Sequence, residues 1–478
     1  MLSELSYTSR SRALSISVAT TACLFAACLV IVRPGYFSNP EPLGCLIALQ
    51  IFVAALWNYQ KACLPLLMLV FLWAGIDLPL AATWTSGRWL VLGIAAIAGI
   101  FVYTKRNSYQ FSAFDGVAGV CILSAFLSAY SSAYPDVAIL KAVSLLMLFL
   151  YGCFGARAAV KGREEQFVGG FLLAGELLVY GTAICYFILH AEALGNPNSL
   201  GAVMGVVAVP AMLWGVLISG GILRRRRAIA LGLSLLLLFG SYSRAGIVAA
   251  GVSACFLCLG LRQYRVLGKV VAASLILAAI AASLVPLSSR PAESAASAFL
   301  YKGHREEGLM GSRKSVWDRT LSVIREHPWF GSGFGTRAAT IEDLGEHGEA
   351  FKSTTETTRE HGSSYLSIFE GTGILGGAPF AVLVYLILLN LTRVALWMRR
   401  RRDAAVPAVL FAAILIAGLA NATFEDWLFA PGYYLCVLFW VFAFLLVQFR
   451  PTCLPQESHN HMAIQTWPAR LGAAVEAR

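Results

Sequence analysis

The sequence predicts an all-α fold: a polytopic membrane helix bundle of about 12 to 14 transmembrane helices with one large, partly helical loop. Of its 478 residues, 58% are hydrophobic and only 13% are charged. The mean hydropathy of +0.70 is well above that of soluble globular chains. Apolar runs of about 15 to 24 residues recur, which is long enough to cross a hydrocarbon core as helices. Because these runs do not alternate in polarity, they favour helices over a barrel.

The apolar runs also give the order of the predicted spans. Several runs are short or contain proline, so their order is better defined than their ends. The predicted spans are residues 13–32, 43–57, 62–77, 89–104, 114–130, 137–156, 167–189, 199–220, 228–241, 244–261, 268–288, 362–394, 404–421 and 428–448.

Basic residues between the spans set the predicted orientation, because positively charged short loops stay on the cytoplasmic side. When successive spans cross the membrane in alternating directions, all the basic clusters fall on one side and both termini lie in the cytoplasm. The arginine runs lie next to the membrane, so topology and lipid headgroups explain them better than nucleic acid does. The first span has full length and no convincing cleavage site follows it, which predicts a retained helix. The clusters are Arg10 with Arg12, Lys105 with Arg106, 157–163, 224–227, 262–269 and 399–402.

The chain therefore divides into one membrane domain with a single insertion. We predict a cytoplasmic tail at 1–12, a first transmembrane part at 13–288, a large external loop at 289–361, a second transmembrane part at 362–448 and a cytoplasmic tail at 449–478. The loop has no cysteine, and nearly all of the 11 cysteines fall in predicted spans. No disulfide framework is expected. Cys255 and Cys258 form a C-x-x-C, but without a second ligand pair we predict neither a metal site nor a cofactor.

Arg244 is the first interruption of the apolar pattern. It lies in LLLLFGSYSRAGIVAAG, residues 235–251, where one span reaches the external face and the next begins. An arginine there either anchors a helix end at the interface or faces a wet cavity as a functional cation. Ser241, Ser243 and Gly246 favour the second interpretation, since small polar residues leave the guanidinium accessible.

The second interruption is the segment GSRKSVWDRTLSVIREHPWFGSGFGT, residues 311–336. Its apolar residues recur at helical spacing, and the His-Pro pair is expected to end that helix. The alternating glycines that follow favour a structural turn. A nucleotide-binding loop is less well supported, because no Walker lysine follows them. Arg313 precedes the predicted helix and could face a site at membrane level.

The third interruption is REHGSSYLSIFEGTGILGG, residues 359–377, where the external loop re-enters the membrane. His361 at this point is either an ordinary polar residue at a helix start or a proton acceptor suited to neutral pH. Glu370 lies inside a predicted span. An intramembrane carboxylate is costly, so we expect Glu370 to have a partner or to be protonated.

These motifs together resemble the O-antigen ligase and polymerase superfamily of bacterial envelope glycosyltransferases. The resemblance rests on SRAG, R-x-x-x-W, HPWFGSGFG and HGSSYLSIFEGTGILG, and it extends over residues 195–380. GNPNSLGAV, residues 195–203, is similar to an asparagine-containing segment that re-enters the membrane in many members of the family. The resemblance implies that Arg244, Arg313 and His361 are catalytic. It also implies that Arg244, Arg313, Asn198 and Glu370 bind substrate. HGSSY departs from many members by carrying serine, not asparagine, after the histidine.

The resemblance also implies the reaction. A glycan on a polyprenyl (undecaprenyl) diphosphate carrier would move to an acceptor hydroxyl, on lipid A-core or a growing glycan, at the periplasmic face of the bacterial inner membrane. Arg244 and Arg313 would meet the departing diphosphate, since a guanidinium can bind two phosphate oxygens at once. His361 would take the acceptor proton. The implied enzyme is an inverting, metal-independent glycosyltransferase with no cofactor, and nucleic acid is not expected as a partner.

Alternatives remain within and outside this chemistry. A ligase, a repeat-unit polymerase and a protein glycosyltransferase could use the same donor and the same catalytic groups. A transporter or flippase for lipid-linked sugars is a different class of protein. Such a transporter would be expected to carry inverted repeats with paired broken helices, and the sequence shows no clear repeat.

Overall fold

A computed structural model describes residues 59–75, 81–105, 111–190, 194–284, 311–338 and 360–451, and within these ranges the protein is helical and has no strand. The predicted spans 13–32 and 43–57 lie outside the described residues. The helices are α1 Tyr59–Ala74, α2 Ala81–Lys105, α3 Ala113–Tyr130, α4 Pro135–Val160, α5 Glu164–Phe187, α6 Pro197–Ile218, α7 Gly221–Gly240, α8 Arg244–Gly260, α9 Tyr264–Leu284, α10 Gly311–Glu326, α11 Ser364–Arg401, α12 Pro407–Ala422 and α13 Tyr434–Phe449.

The helices confirm the predicted membrane bundle, because every predicted span that falls on described residues coincides with one of them. In this part of the chain, 5 helices are long and apolar enough to cross a membrane. These are α3, α4, α5, α6 and α11, and shorter apolar helices accompany them. The protein is therefore a multi-pass membrane protein.

Helices α6, α12 and α13 form the centre of the bundle. Most residues of these three helices are buried, and α12 and α13 carry no charged side chain. A helix that is apolar on all sides packs stably only when other helices surround it. By contrast, α3 and α5 expose leucines on one face, such as Leu127 and Leu177. Those faces are suited to contact lipid.

Close packing of α6 on α8 brings their first turns together. Gly201 and Gly205 of α6 lie against Ser243 and Gly246, and neither glycine position has room for a Cβ atom. Small residues four apart let helix backbones approach closely in membranes. As a result, the first turn of α6 and Arg244 of α8 lie at the same end of the bundle.

The segment that contains Arg313 forms the helix α10, as its apolar spacing predicts, and this helix ends at Glu326 directly before the His-Pro pair. One detail of the prediction was wrong. Arg313 lies inside the first turn of α10, not before it, because the helix already begins at Gly311. The segment Gly-Ser ahead of the arginine is compatible with a helix start, and periodicity alone does not define such ends.

Helix α11 is broken at Gly373, whose φ of 64° and ψ of −169° are not helical. Residues 328–333, which follow α10, pair with the backbone at this break. In a membrane-level helix, such pairing supplies partners to groups that the break leaves without helical hydrogen bonds. The bonds run from Ser332 N to Glu370 O at 2.8 Å, Gly333 N to Gly371 O at 2.9 Å, Ile374 N to Pro328 O at 2.8 Å and Leu375 N to Trp329 O at 3.2 Å.

The glycines of GSGFG are therefore structural, as their turn chemistry predicts. Gly331, Gly333 and Gly335 all have positive φ. A Cβ atom on Gly331 would lie 2.5 Å from Glu370 O, and Gly373 is equally tight against Trp329. Glycine is required where the backbone takes a left-handed conformation and a second backbone approaches this closely.

Candidate functional site

A cavity of about 670 Å³ opens at the end of the bundle where α6 and α8 begin. Its walls come from the start of α6, the turn before α8, the residue before His361 and the loop that joins α12 to α13. The residues that line it are Asn196, Pro197, Asn198, Ser199, Ala202, Ser241, Tyr242, Glu360, Glu425, Asp426, Trp427, Ala430 and Tyr433.

His361 lies beside this cavity with a carboxylate at each ring nitrogen. Nδ1 is 2.5 Å from Asp426 Oδ2, and Nε2 is 3.4 Å from Glu370 Oε1. Burial alone would lower the pKa of His361, but the hydrogen bonds to Asp426 and Glu370 outweigh it and raise the pKa to about 9. The imidazole is therefore a cation near neutral pH, and each ring N–H points to a carboxylate.

Hydrogen bonds around the start of α11 fix the backbone next to His361. Gly362 has a φ of 66°, and its carbonyl accepts from Trp317 Nε1 at 3.1 Å. The Ser364 hydroxyl donates to Glu425 O at 2.7 Å and accepts from Trp427 N at 3.0 Å. The serine-rich sequence after the histidine thus ties α11 to the loop that carries Asp426.

The two predicted arginines come together at the same place. Arg313 donates from Nη1 to Glu360 Oε1 and from Nη2 to Glu425 Oε1, both at 2.7 Å. Arg244 is half-buried at the first position of α8, two residues after Tyr242 of the cavity wall. The guanidinium groups of Arg244 and Arg313 are near enough for their positive charges to repel each other. Two like charges on separate helices therefore share one region.

The remaining predicted residues differ in position. Asn198 lines the cavity itself, next to Asn196, whose side chain accepts from Ser199 N and caps α6. Glu370 is 0% exposed and lies behind His361, not on the cavity wall. The expectation that an intramembrane Glu370 has a partner is confirmed, because that partner is His361.

Sequence reasoning missed the carboxylates of the cavity wall. Glu425 and Asp426 hold Arg313 and His361, and Glu360 holds Arg313 from the other side. The sequence does contain a signal for Glu425 and Asp426. The segment NATFEDWLFAPGYY, residues 421–434, has two adjacent acids between the last two apolar spans, on the side that the threading makes external. Paired acids in so short and apolar a connection indicate a functional role.

In the described ranges, no group of three or more His, Cys, Asp and Glu side chains is arranged to hold a metal ion. Of the C-x-x-C pair, Cys258 is buried and Cys255 is exposed, and both are free thiols. The site is instead a cluster of charged side chains. It combines two guanidiniums, a protonated imidazole and acidic groups at the edge of an open cavity, which suits an anionic ligand and a proton transfer.

Comparison with known proteins finds a family match for part of the chain. Residues 229–381 match the family model described as O-Antigen ligase. The matched segment includes Arg244, Arg313, His361 and Glu370, and it leaves out Asn198 and the loop between α12 and α13. No curated protein matches the chain. The multi-pass helical bundle thus contains a segment similar to the O-antigen ligase family, which supports a part in membrane polysaccharide biosynthesis.

Proposed function

We propose that the protein transfers a glycan from a polyprenyl (undecaprenyl) diphosphate carrier to an acceptor hydroxyl at the periplasmic face of the bacterial inner membrane. One observation carries the proposal. Arg313 and His361, from separate elements, both bind carboxylates of the cavity wall, and Arg244 lies within electrostatic range of Arg313. If these residues only held the elements together, apolar contacts would do so at lower cost, so their charge supports a functional role.

The two arginines suit a donor whose glycan is linked to a diphosphate. Breaking the glycosyl-phosphate bond leaves negative charge on the diphosphate, and a guanidinium can meet two phosphate oxygens together. Repulsion between Arg244 and Arg313 is relieved when a diphosphate lies between them. Glu360 and Glu425 hold the Arg313 guanidinium in place beforehand. We propose a metal-independent reaction because these two cations can stabilise the leaving group, a contribution of about 3 to 4 kcal/mol for one comparable donor.

The carboxylates explain the proton transfer. The acceptor oxygen forms a bond to the anomeric carbon while the bond to the diphosphate oxygen breaks, and the electron pair leaves with the diphosphate. The acceptor proton goes to the pair of His361 and Asp426. Asp426 is the member of this pair that lines the cavity, and His361 orients its carboxylate. Attack opposite the leaving group inverts the anomeric carbon.

The polar wall of the cavity suits an acceptor sugar. Asn198, Ser199 and Tyr433 present amide and hydroxyl groups beside Asp426. Sugar hydroxyls both donate and accept hydrogen bonds, and this wall can satisfy both kinds. We propose that the acceptor is lipid A-core, in line with the ligase description of the matched segment. A growing glycan, the acceptor of a polymerase, is the alternative outcome of the test below.

The test measures carrier-linked glycan in a strain that lacks the gene and is restored with the parental gene or with His361→Ala. Full-length chains on the carrier in the deletion strain indicate a ligase, and single repeats indicate a polymerase. His361→Ala is expected to reproduce the deletion. His327→Ala changes an exposed histidine of the same region and should restore the parental pattern. A parental pattern with His361→Ala would contradict the proposed role of the pair.

A further inference from the structure

Lys141 approaches the functional end from a part of the chain outside the matched residues. It lies on α4, and its Nζ donates to Gly335 O at 2.5 Å. A Cβ atom on Gly335 would lie 2.8 Å from Lys141 Cδ, so the stem of the lysine packs directly on the glycine turn. Its positive charge also reaches Asp426. Lys141 therefore contacts the turn and lies close to a carboxylate of the cavity wall.

The turn that Lys141 holds is joined to the residue behind His361. Through backbone bonds, Ser332 and Gly333 of the turn hold the carbonyls of Glu370 and Gly371. The Ser128 hydroxyl of α3 donates to the same Gly371 carbonyl at 2.5 Å. A displacement of the turn would therefore move the backbone of Glu370, whose carboxylate lies 3.4 Å from His361 Nε2.

We propose that Lys141 is a positioning residue of this site: through the glycine turn it holds Glu370 against His361. This inference rests on the proposed function for its effect on catalysis. The groups that face the His361 imidazole from the elements packed around it are Glu370 of α11 and Asp426 of the loop after α12. The hydrogen bonds that start at Lys141 lead through the glycine turn to the first of these, Glu370.

The cost of this lysine supports a functional role. An ammonium at membrane level is expensive unless it has partners. Lys141 is half-buried and is paired with a backbone carbonyl, while Asp426 lies within reach of its charge. An apolar side chain would fill the same space at lower cost if packing were its only purpose.

The experiment compares Lys141→Met with Lys141→Arg in purified protein, with a carrier-linked glycan as donor. We expect Lys141→Met to lower kcat by about 10- to 100-fold, with the KM for the donor within about twofold of the parental value, because positioning acts on the reacting geometry. Arginine retains a cationic donor and should recover part of kcat. Lys269→Met, an exposed lysine of α9, is the matched control and should behave as parental.

A double variant tests the route through Glu370. If Lys141 acts through this residue, Lys141→Met combined with Glu370→Gln should lose little more kcat than Glu370→Gln alone. Additive losses would overturn the route. Parental kcat in Lys141→Met would overturn the proposal as a whole, as would an equal loss in the arginine variant.

Amide hydrogen exchange separates this inference from the proposed function, since it does not need turnover. The amides of Ser332 and Gly333 should exchange faster in Lys141→Met than in the parental protein and at the parental rate in Lys141→Arg. Unchanged exchange in Lys141→Met would overturn the inference even if the parental protein transfers glycan. If exchange is faster in Lys141→Met but the folded parental protein transfers no glycan, the contact between Lys141 and the turn is supported and the proposed function is rejected.

Discussion

The two ends of α3 carry two kinds of charge cluster. The helix has 18 residues, so its ends lie about 27 Å apart. Near the first end, Arg157 of α4 meets Asp115 with Nη2 to Oδ1 at 2.8 Å and Nη1 to Oδ2 at 3.2 Å. Both side chains are at most 2% exposed, and neither lines the cavity. Near the last end, Ser128 contacts the break in α11 beside the functional residues.

The functional end is organised differently. His361 has a carboxylate at each ring nitrogen, and the Arg313 guanidinium has two carboxylate partners. Glu425 and Asp426 are 18% exposed and line the cavity. A closed pair of opposite charges fixes one arrangement of helices, whereas a cluster with several charges facing open space can exchange partners with a ligand. The difference predicts that substitutions at one end reduce stability and those at the other end reduce activity.

The largest effect is expected for Asp426→Asn. The variant keeps the size of the side chain and removes the charge that faces His361 and the cavity. Transfer of glycan should fall by about 100- to 10,000-fold, the usual contribution of a positioned acid or base. The measurement is the transfer rate per folded molecule, with membrane insertion checked in parallel. A rate within a few-fold of the parental rate would remove Asp426 from the reaction.

The closed pair should respond in the opposite way. Arg157→Met leaves Asp115 charged and buried, so the free energy of unfolding should fall by about 3 to 5 kcal/mol. The folded fraction should still transfer glycan at the parental rate. Thermal or denaturant unfolding in detergent measures the first quantity. The double variant Arg157→Met with Asp115→Leu should recover most of the lost stability, since it leaves no unpaired charge. Lost activity at unchanged stability would contradict the comparison.

The pH dependence of stability gives a moderate effect at the functional end. Because the pKa of His361 is raised to about 9 from its ordinary 6.5, its proton stabilises the folded protein fully below about pH 6.5. That stabilisation is lost as the pH rises through about 9. The difference in Tm between the parental protein and His361→Asn should therefore shrink across this range. A Tm difference that does not change between pH 6 and about 9 would show that the histidine gains no proton affinity on folding.

The smallest expected effect on the transfer rate concerns the two carboxylates that bind Arg313. Glu360 is 67% exposed, whereas Glu425 is 18% exposed. Exposed ion pairs contribute about 0 to 1 kcal/mol, so Glu360→Gln should change the transfer rate by no more than about fivefold. Glu425→Gln should lower the transfer rate clearly more, because the Glu425 carboxylate is better shielded from solvent. Equal rates for both variants would mean that shielding does not set the orientation of the guanidinium.

Much of the fold follows from the sequence because apolar runs of spanning length leave few structural choices. Arg244, Arg313 and His361 can also be singled out as candidates, since each breaks a local pattern. The cavity wall does not. Glu425 and Asp426 come from a short connection, and no local periodicity shows that α11, α12 and α10 bring them to Arg313 and His361. Their meeting depends on helix packing, which contacts distant in sequence determine.

The join between residues 328–333 and the break at Gly373 uses main-chain groups on both sides. Main-chain hydrogen bonds do not depend on the chemical identity of the side chain, but the approach leaves no room for a Cβ atom at Gly331 or Gly373. The join therefore does not depend on the polarity of side chains, but it does require glycine at both positions, for its positive φ and for the lack of a Cβ atom. Trp329 and Phe330, whose side chains are exposed, can therefore vary in polarity, while an alanine at either glycine would push α10 away from the bundle.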